Sequence, residues 1–246
     1  MRMAVYNTIF KRVEKKYRTS EDACRELLAK IGDRLYPDRY GKSTVCNLYL
    51  DTPDFLLIRN SIDAVSYKEK LRVRSYGLPR KDSTVFFEIK KKYKGTVYKR
   101  RISTTYEKVM AYLAGGEKPD DSQIMREIDY AMQYYGNPRP AAVIFYEREA
   151  YYANDVPNLR LTFDRNIRYR FDGLTPDAGD GGNLLLQPGE VLLEIKTDGG
   201  MPLWLSQALA ECHIYPSRFS KYGRSYLERI EKKKEINHGQ DLCIHH

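Results

Sequence analysis

Cysteine is scarce and unpatterned in this sequence. Cys24, Cys46, Cys212 and Cys243 form no C-x-x-C pair and no zinc-ligand spacing. That argues against a disulfide scaffold or a zinc site, and for free thiols in a reducing cytosol. No window approaches the ~18 apolar residues of a membrane-crossing helix. The opening stretch, MRMAVYNTIFKRVEKKY, has no apolar run of the kind a signal peptide carries. Membrane association would therefore need a partner protein. Internal repeats and long linkers are absent too, so residues 1–233 are expected to form a single domain, with 234–246 a mobile C-terminal tail.

Positive charge and tyrosine are plentiful. Lys and Arg number 42 against 33 Asp and Glu, which gives a net charge of +9 and points to an anionic partner. Charge alone does not choose among nucleic acid, an anionic membrane and a phosphate-rich small molecule. The 21 tyrosines are accommodated well by β-structure.

Short alternating stretches dominate the chain. Strands are expected at 10–17, 44–52, 66–76, 84–93, 96–103, 141–152, 159–170 and 190–198, mostly bounded by Gly, Pro, Asp or Asn. Gly95 marks a hairpin turn. Helices are expected within TSEDACRELLAKIG, TTYEKVMAYLAGG, DDSQIMREIDYAMQYYG, MPLWLSQALAEC (with Pro202 at a favoured first position) and SRFSKYGRSYLERIEKKK, the last broken near Gly223. Eight antiparallel strands close into a barrel or pack as a sandwich.

The segment YKEKLRVRSYG, residues 67–77, sharpens the choice. Residues two apart on a strand share a face. Lys68, Lys70, Arg72 and Arg74 therefore line one side. The same test on the other strands groups Arg12, Glu14 and Lys16; Glu88 and Lys90; Lys99 and Arg101; Tyr146 and Arg148; Arg160, Thr162 and Asp164; and Glu194 and Lys196. Most opposite faces are apolar, as with Leu159, Leu161 and Phe163. A sandwich would leave these charges in water. A closed barrel clad in helices would turn them into a wet lumen, where charge is costly unless a ligand of opposite sign neutralises it. Ten cations (Arg12, Lys16, Arg72, Arg74, Lys90, Lys99, Arg101, Arg148, Arg160 and Lys196) share these faces with three glutamates, Glu14, Glu88 and Glu194. Such a lumen suits a polyanion gripped by Arg forks. The three glutamates would suit a divalent metal that bridges phosphates. Inward charge argues against nucleic-acid binding, which needs cations and aromatics on an open face.

The segments RVEKKY (12–17), YLDTPD (49–54), YKEKLRVRSYG, FFEIKKK (86–92), VYKRR (97–101), YERE (146–149), LRLTFD (159–164), LLEIK (192–196) and SRFSKYG (217–223) together resemble the VTC domain. This is the polyphosphate polymerase module of the vacuolar transporter chaperone complex and its bacterial relatives, within the triphosphate tunnel metalloenzymes that also include the CYTH phosphatases. The resemblance spans roughly residues 8–228. It implies an α+β fold: a closed antiparallel eight-stranded β-barrel with helices packed outside. It also implies that Lys16, Arg72, Arg74, Lys90, Lys99, Arg148 and Arg160 hold ATP and the growing chain, together with Lys70, Arg101, Lys196 and Tyr146. Glu194 would hold Mn²⁺ or Mg²⁺, with Glu88 and Glu14 as further metal candidates. Ser220 and Lys221 would close on the phosphates, and Arg59 would add a contact. CYTH phosphatases open with E-x-E-x-K, but this chain has Arg12-Val13-Glu14-Lys15-Lys16. The missing carboxylate favours the polymerase branch.

The implied reaction is ATP + polyP(n) → ADP + polyP(n+1), with Arg72, Arg74, Lys99 and Glu194 as the catalytic set. A terminal phosphate oxygen is already ionised at neutral pH, so no general base is needed, consistent with only four histidines. Substrates and partners would be ATP, inorganic polyphosphate or pyrophosphate, and a membrane protein that accepts the chain. This places the protein in the cytoplasm, at the inner face of a membrane through that partner. Two alternatives stay open. One is a triphosphatase, in which Glu14, Glu88 or Glu147 would position water. The other is a non-catalytic polyphosphate-binding module. YLDTPD reads as a structural strand end and turn, and Trp204 as helix packing.

Overall fold

A computed structural model describes residues 13–94 and 96–243. Arg12 and Gly95 lie outside the described residues. In chain order the elements are β1 (Val13–Ser20), α1 (Glu21–Ile31), β2 (Leu35–Pro37), β3 (Ser43–Asp51), α2 (Leu56–Ile62), β4 (Tyr67–Tyr76), β5 (Thr84–Tyr93), β6 (Thr96–Thr105), α3 (Tyr106–Leu113), α4 (Gln123–Tyr134), β7 (Arg139–Ala153), β8 (Arg160–Arg170), β9 (Asn183–Leu184), β10 (Glu190–Thr197), α5 (Leu203–Glu211) and α6 (Lys221–Cys243). All eight expected strands are present within a few residues of their sequence bounds. The short β2 and β9 and the helix α2 are additional. α6 is continuous through Gly223 and runs past residue 233.

The sheet follows the order β1-β10-β8-β7-β3-β4-β5-β6, with β2 beside β7 and β9 beside β8. The expectation of a closed barrel is corrected here. Among the described residues the hydrogen-bonded path is open, and its ends are β1 and β6. Closure needs an edge-to-edge pairing between strands far apart in sequence, which alternation within one strand does not encode.

Helix starts follow the capping residues. Ser20, Thr105 and Ser122 each accept a hydrogen bond from a backbone N–H of the first turn of α1, α3 and α4. Pro202 takes the capping position of α5 rather than its first turn. Between β5 and β6, Tyr93 pairs with Thr96. Lys94, after Tyr93, has φ 44°, in the left-handed region.

The chain divides into two compact units. One comprises the described residues up to Ser43 with Arg148–Arg165 and Leu186–Phe219. The other comprises Thr44–Glu147, Asn166–Leu185 and the residues from Ser220 onward. Each has its own core. In the first, Tyr17, Leu161, Phe163, Leu193 and Ile195 of the strands pack on Cys24, Leu27 and Ile31 of α1 and Leu205 and Leu209 of α5. In the second, Leu48, Leu71, Val73, Phe87 and Ile89 pack on Val109 of α3 and Met125, Ile128 and Met132 of α4. Each buried Phe or Leu contributes about 1.5–3 kcal/mol of transfer free energy. In each unit, therefore, the helices cover the apolar sheet face, and the charged face points the other way. Cys24, Cys46 and Cys212 are buried and unbridged, as expected.

Candidate functional site

In the unit carrying β3 to β6, strand register sorts the charges into rows. Tyr49, Arg72, Glu88 and Arg101 lie abreast; so do Asn47, Arg74, Phe86 and Ser103; and so do Lys70, Lys90 and Lys99. The third row sets three lysines on adjacent strands, an arrangement that opposed like charges disfavour. Glu88 sits beside that row, 1% exposed. Its Oε2 accepts from Arg72 Nε at 2.6 Å, and its Oε1 lies 2.7 Å from Lys99 Nζ and 3.9 Å from Arg101. Burial pushes the Glu88 carboxyl up, but Arg72, Arg74 and Lys99 outweigh it and hold it at about 2. Burial pulls Lys99 down to about 8, although Glu88 opposes the shift.

The two arginines of β4 are held in place by neutral partners as well. Arg72 Nη1 donates to the Tyr49 hydroxyl at 3.3 Å. Arg74 Nε donates to Asn47 Oδ1 at 2.9 Å, and its Nη2 to the Tyr146 hydroxyl at 3.5 Å. Asn47 is fixed in turn by donating to the Ile144 carbonyl. The first turn of α6 reaches the same face. Lys70 Nζ donates to Ser220 Oγ at 3.1 Å, Lys221 Nζ lies 4.5 Å from the Tyr146 ring centroid, and the Tyr222 ring stacks on Tyr49 at 4.5 Å. Ser220 Oγ also accepts from Gly223 N, which caps the helix.

In the unit carrying β1 and β10, acids and bases alternate instead. Glu14 opposes Lys196, which opposes Arg160; Lys16 opposes Glu194, which opposes Thr162. Lys16 Nζ lies 3.4 Å from Glu194 and 3.5 Å from Glu14, and donates to the Phe219 carbonyl at 3.1 Å. Arg148 grips Asp164 bidentately at 2.6 and 2.7 Å and extends to Glu194 at 3.4 Å. Arg160 donates to Asp38 at 2.9 Å, and Lys196 lies 3.7 Å from Glu14. Burial lowers the pKa of Lys196, with Glu14 and Glu194 opposing.

The structure thus gathers Lys70, Arg72, Arg74, Glu88, Lys90, Lys99, Arg101, Tyr146, Ser220 and Lys221 in one unit, and Glu14, Lys16, Arg148, Arg160, Glu194 and Lys196 in the other. Arg59 is on α2 in the β3–β6 unit, paired with Asp54. Glu147 is exposed and accepts from Asn166. Asp38 and Tyr49 were not singled out from the sequence. Asp164 was noted beside Arg160, but not as the partner of Arg148. Only the parity of Asp164 and Tyr49 signals their faces.

Residues 11–228 match the model of the VTC domain. The chain belongs to the VTC domain family. No curated protein matches it. Among solved structures, a Bacillus halodurans protein described as a candidate adenylate cyclase is similar, with TM-score 0.54 and 12% identity, covering 85% of this chain and 93% of that one. A candidate adenylate cyclase from Vibrio parahaemolyticus is similar at TM-score 0.49 and 13% identity, over 87% and 97%. The mimivirus capping enzyme triphosphatase is similar at TM-score 0.34 and 11% identity, over 81% and 88%. At this identity the Bacillus likeness shows the fold alone. Among the described residues, no helix is long and apolar enough to cross a membrane. Nor, among them, do three or more His, Cys, Asp or Glu gather as a metal-ligand set.

Proposed function

We propose that this VTC domain is a polyphosphate polymerase that moves the γ-phosphate of ATP onto the end of an inorganic polyphosphate chain. The observation that carries this reading is the row Lys70, Lys90 and Lys99 beside Arg72 and Arg101, with Glu88 the one carboxylate in those two rows. A face with this excess of cations is stabilised by a polyanion. Arg72, Arg74 and Lys99 would neutralise charge that develops during phosphoryl transfer. Lys70, Lys90, Arg101, Tyr146, Ser220 and Lys221 would hold phosphates in that unit. Lys16, Arg148, Arg160 and Lys196 would do so in the other. Arg59, paired with Asp54, would add a further contact.

The donor chemistry fits one hard divalent cation in part. Glu14 and Glu194 converge on the Lys16 ammonium, so the same two carboxylates would hold Mn²⁺ or Mg²⁺, with phosphate oxygens completing the shell. Glu88 fits poorly, because both its oxygens already face Arg72 and Lys99. When bound, the metal would supply further neutralisation of phosphate oxygens. The chain's own side chains bind and align the two phosphates.

The test is incubation of the pure protein with ATP and Mn²⁺, followed by gel electrophoresis stained for polyphosphate. A growing ladder with ADP release, lost in Arg72→Ala and Glu194→Gln, is the expected result. Phosphate release without a ladder would replace the polymerase with a triphosphatase. Tight polyphosphate binding without turnover would make the chain a holding module. A membrane protein that accepts the product, with the VTC domain at the cytoplasmic face, belongs to the same proposal. Co-purification with a membrane fraction would test it.

A further inference from the structure

Ser220, which precedes and caps α6, and Lys221 and Tyr222, its first two residues, each touch a different cation of β4, or a side chain that touches one. Ser220 accepts from Lys70. Lys221 lies over Tyr146, whose hydroxyl accepts from Arg74. Tyr222 stacks on Tyr49, whose hydroxyl accepts from Arg72. The third contact is the most firmly built. Tyr222 is 2% exposed, its ring lies 21° from the plane of Tyr49, and its hydroxyl donates to Asp51 Oδ2 at 2.9 Å. Asp51 is 1% exposed and also accepts from the backbone N–H groups of Thr52, Leu57 and Ile58 at 2.8 to 3.0 Å. A buried carboxylate with four donors is a fixed point in the fold. Nothing in a helix requires a tyrosine to reach it.

We propose that Tyr222, anchored by Asp51, is a positioning residue for Arg72 and acts through the Tyr49 ring. The inference rests on the reading of the β4–β6 face as a phosphate site. Arg72 has Glu88 on one side and Tyr49 on the other. Glu88 supplies charge, but a carboxylate also lets the guanidinium slide toward it. The Tyr49 hydroxyl is the neutral stop on the opposite side, and the Tyr222 ring keeps Tyr49 from rotating away. The chain Asp51–Tyr222–Tyr49–Arg72 thus sets where the guanidinium fork points.

The experiment is calorimetric titration of the intact chain with inorganic tripolyphosphate, with thermal unfolding alongside. Arg72→Ala should weaken binding by more than about tenfold. Tyr222→Leu, which removes ring and hydroxyl, should weaken it by about fivefold to tenfold. Tyr222→Phe, which keeps the ring but loses the hydroxyl bond to Asp51, should weaken binding by about twofold to fivefold, between the wild type and Tyr222→Leu, and lower the melting temperature. In the Arg72→Ala background, Tyr222→Leu should change affinity by less than about twofold. Tyr222→Leu that melts earlier but binds as tightly would make the stack purely structural and overturn the proposal. So would an effect of equal size with Arg72 absent. If Arg72→Ala binds normally, the phosphate-site reading itself fails, and that result is distinct from both others. Should Tyr222→Leu not fold, Tyr49→Phe removes the hydroxyl that Arg72 donates to. About threefold weaker binding supports the proposal, and unchanged binding overturns it.

Discussion

The Glu88 face and the Glu194 face are built from the same residue types in different proportions. Around Glu88, Arg72, Lys99 and Arg101 converge on one carboxylate, and Lys70, Lys90 and Arg74 flank them. Around Glu194, the four carboxylates of Glu14, Asp38, Asp164 and Glu194 meet the four cations of Lys16, Arg148, Arg160 and Lys196. Among the described residues, the first face sets six cations around one carboxylate. The second is close to internally neutral. The contrast teaches that a charged sheet face is not one kind of object: proportion and register decide whether it calls for a ligand or satisfies itself.

The largest effect that would break this comparison is on stability. Glu88→Gln leaves Arg72, Lys99 and Arg101 facing one another, and is expected to cost about 3 kcal/mol, the low end for a broken buried pair because two of the partners remain partly in water. Tripolyphosphate should recover much of that loss by binding the folded state. Glu194→Gln is expected to cost less, about 1–2 kcal/mol, because Arg148 keeps Asp164 and Lys16 keeps Glu14. Urea unfolding of both variants checks this, and equal losses would erase the contrast. The pH dependence has a definite sign. Glu88 is held at about 2, below its ordinary value of 4.5, so its contribution is present above pH 4.5 and fades as pH falls toward 2. Glu88→Gln should flatten the acid limb across that window.

A smaller effect concerns Lys99. Its pKa is lowered from 10.5 to about 8, so the folded state releases this proton before the unfolded state does. Its contribution to stability therefore rises with pH between about 8 and 10.5. Phosphate binding runs the other way. Affinity for tripolyphosphate should fall as pH climbs above 8, and Lys99→Arg should remove that fall. Titration calorimetry at stepped pH reads it. On the Glu194 face, Arg148→Lys exchanges a bidentate grip on buried Asp164 for a point charge and should cost about 1–2 kcal/mol. The smallest effect is at Arg101, half exposed and 3.9 Å from Glu88, where Arg101→Ala should shift stability by less than about 1 kcal/mol.

Strand positions and the facing of charge were legible because period-two alternation is local. Leu71 and Val73 against Arg72 and Arg74 declare their sides without any knowledge of the fold. Helix starts were legible where a serine or threonine caps them in the usual place. α2 was not, because its cap is unusual. Phe55 precedes it with φ 60° and no side-chain cap, while Asp51 supplies the acceptors from the end of β3. YLDTPD was rightly read as a strand end and turn, but that reading hid the link from Asp51 to Tyr222. The pairing of Arg148 with Asp164 was hidden as well: the two are 16 residues apart on different strands, and parity gives a face but not a partner. The open strand path escaped for the same reason, since edge pairing is a property of the whole sheet.

The Ser220–Lys221–Tyr222 run has a consequence for how chain length is specified. Consecutive helical residues point about 100° apart, so the contacts of Lys221 and Tyr222, together with that of the cap Ser220, fix the rotational phase of α6 about its own axis. Substitution at any one position costs only the contacts of that side chain. Insertion or deletion of one residue within the run turns every later side chain away from its target at once. When related chains are laid side by side, this is where side chains can vary and a gap cannot fall.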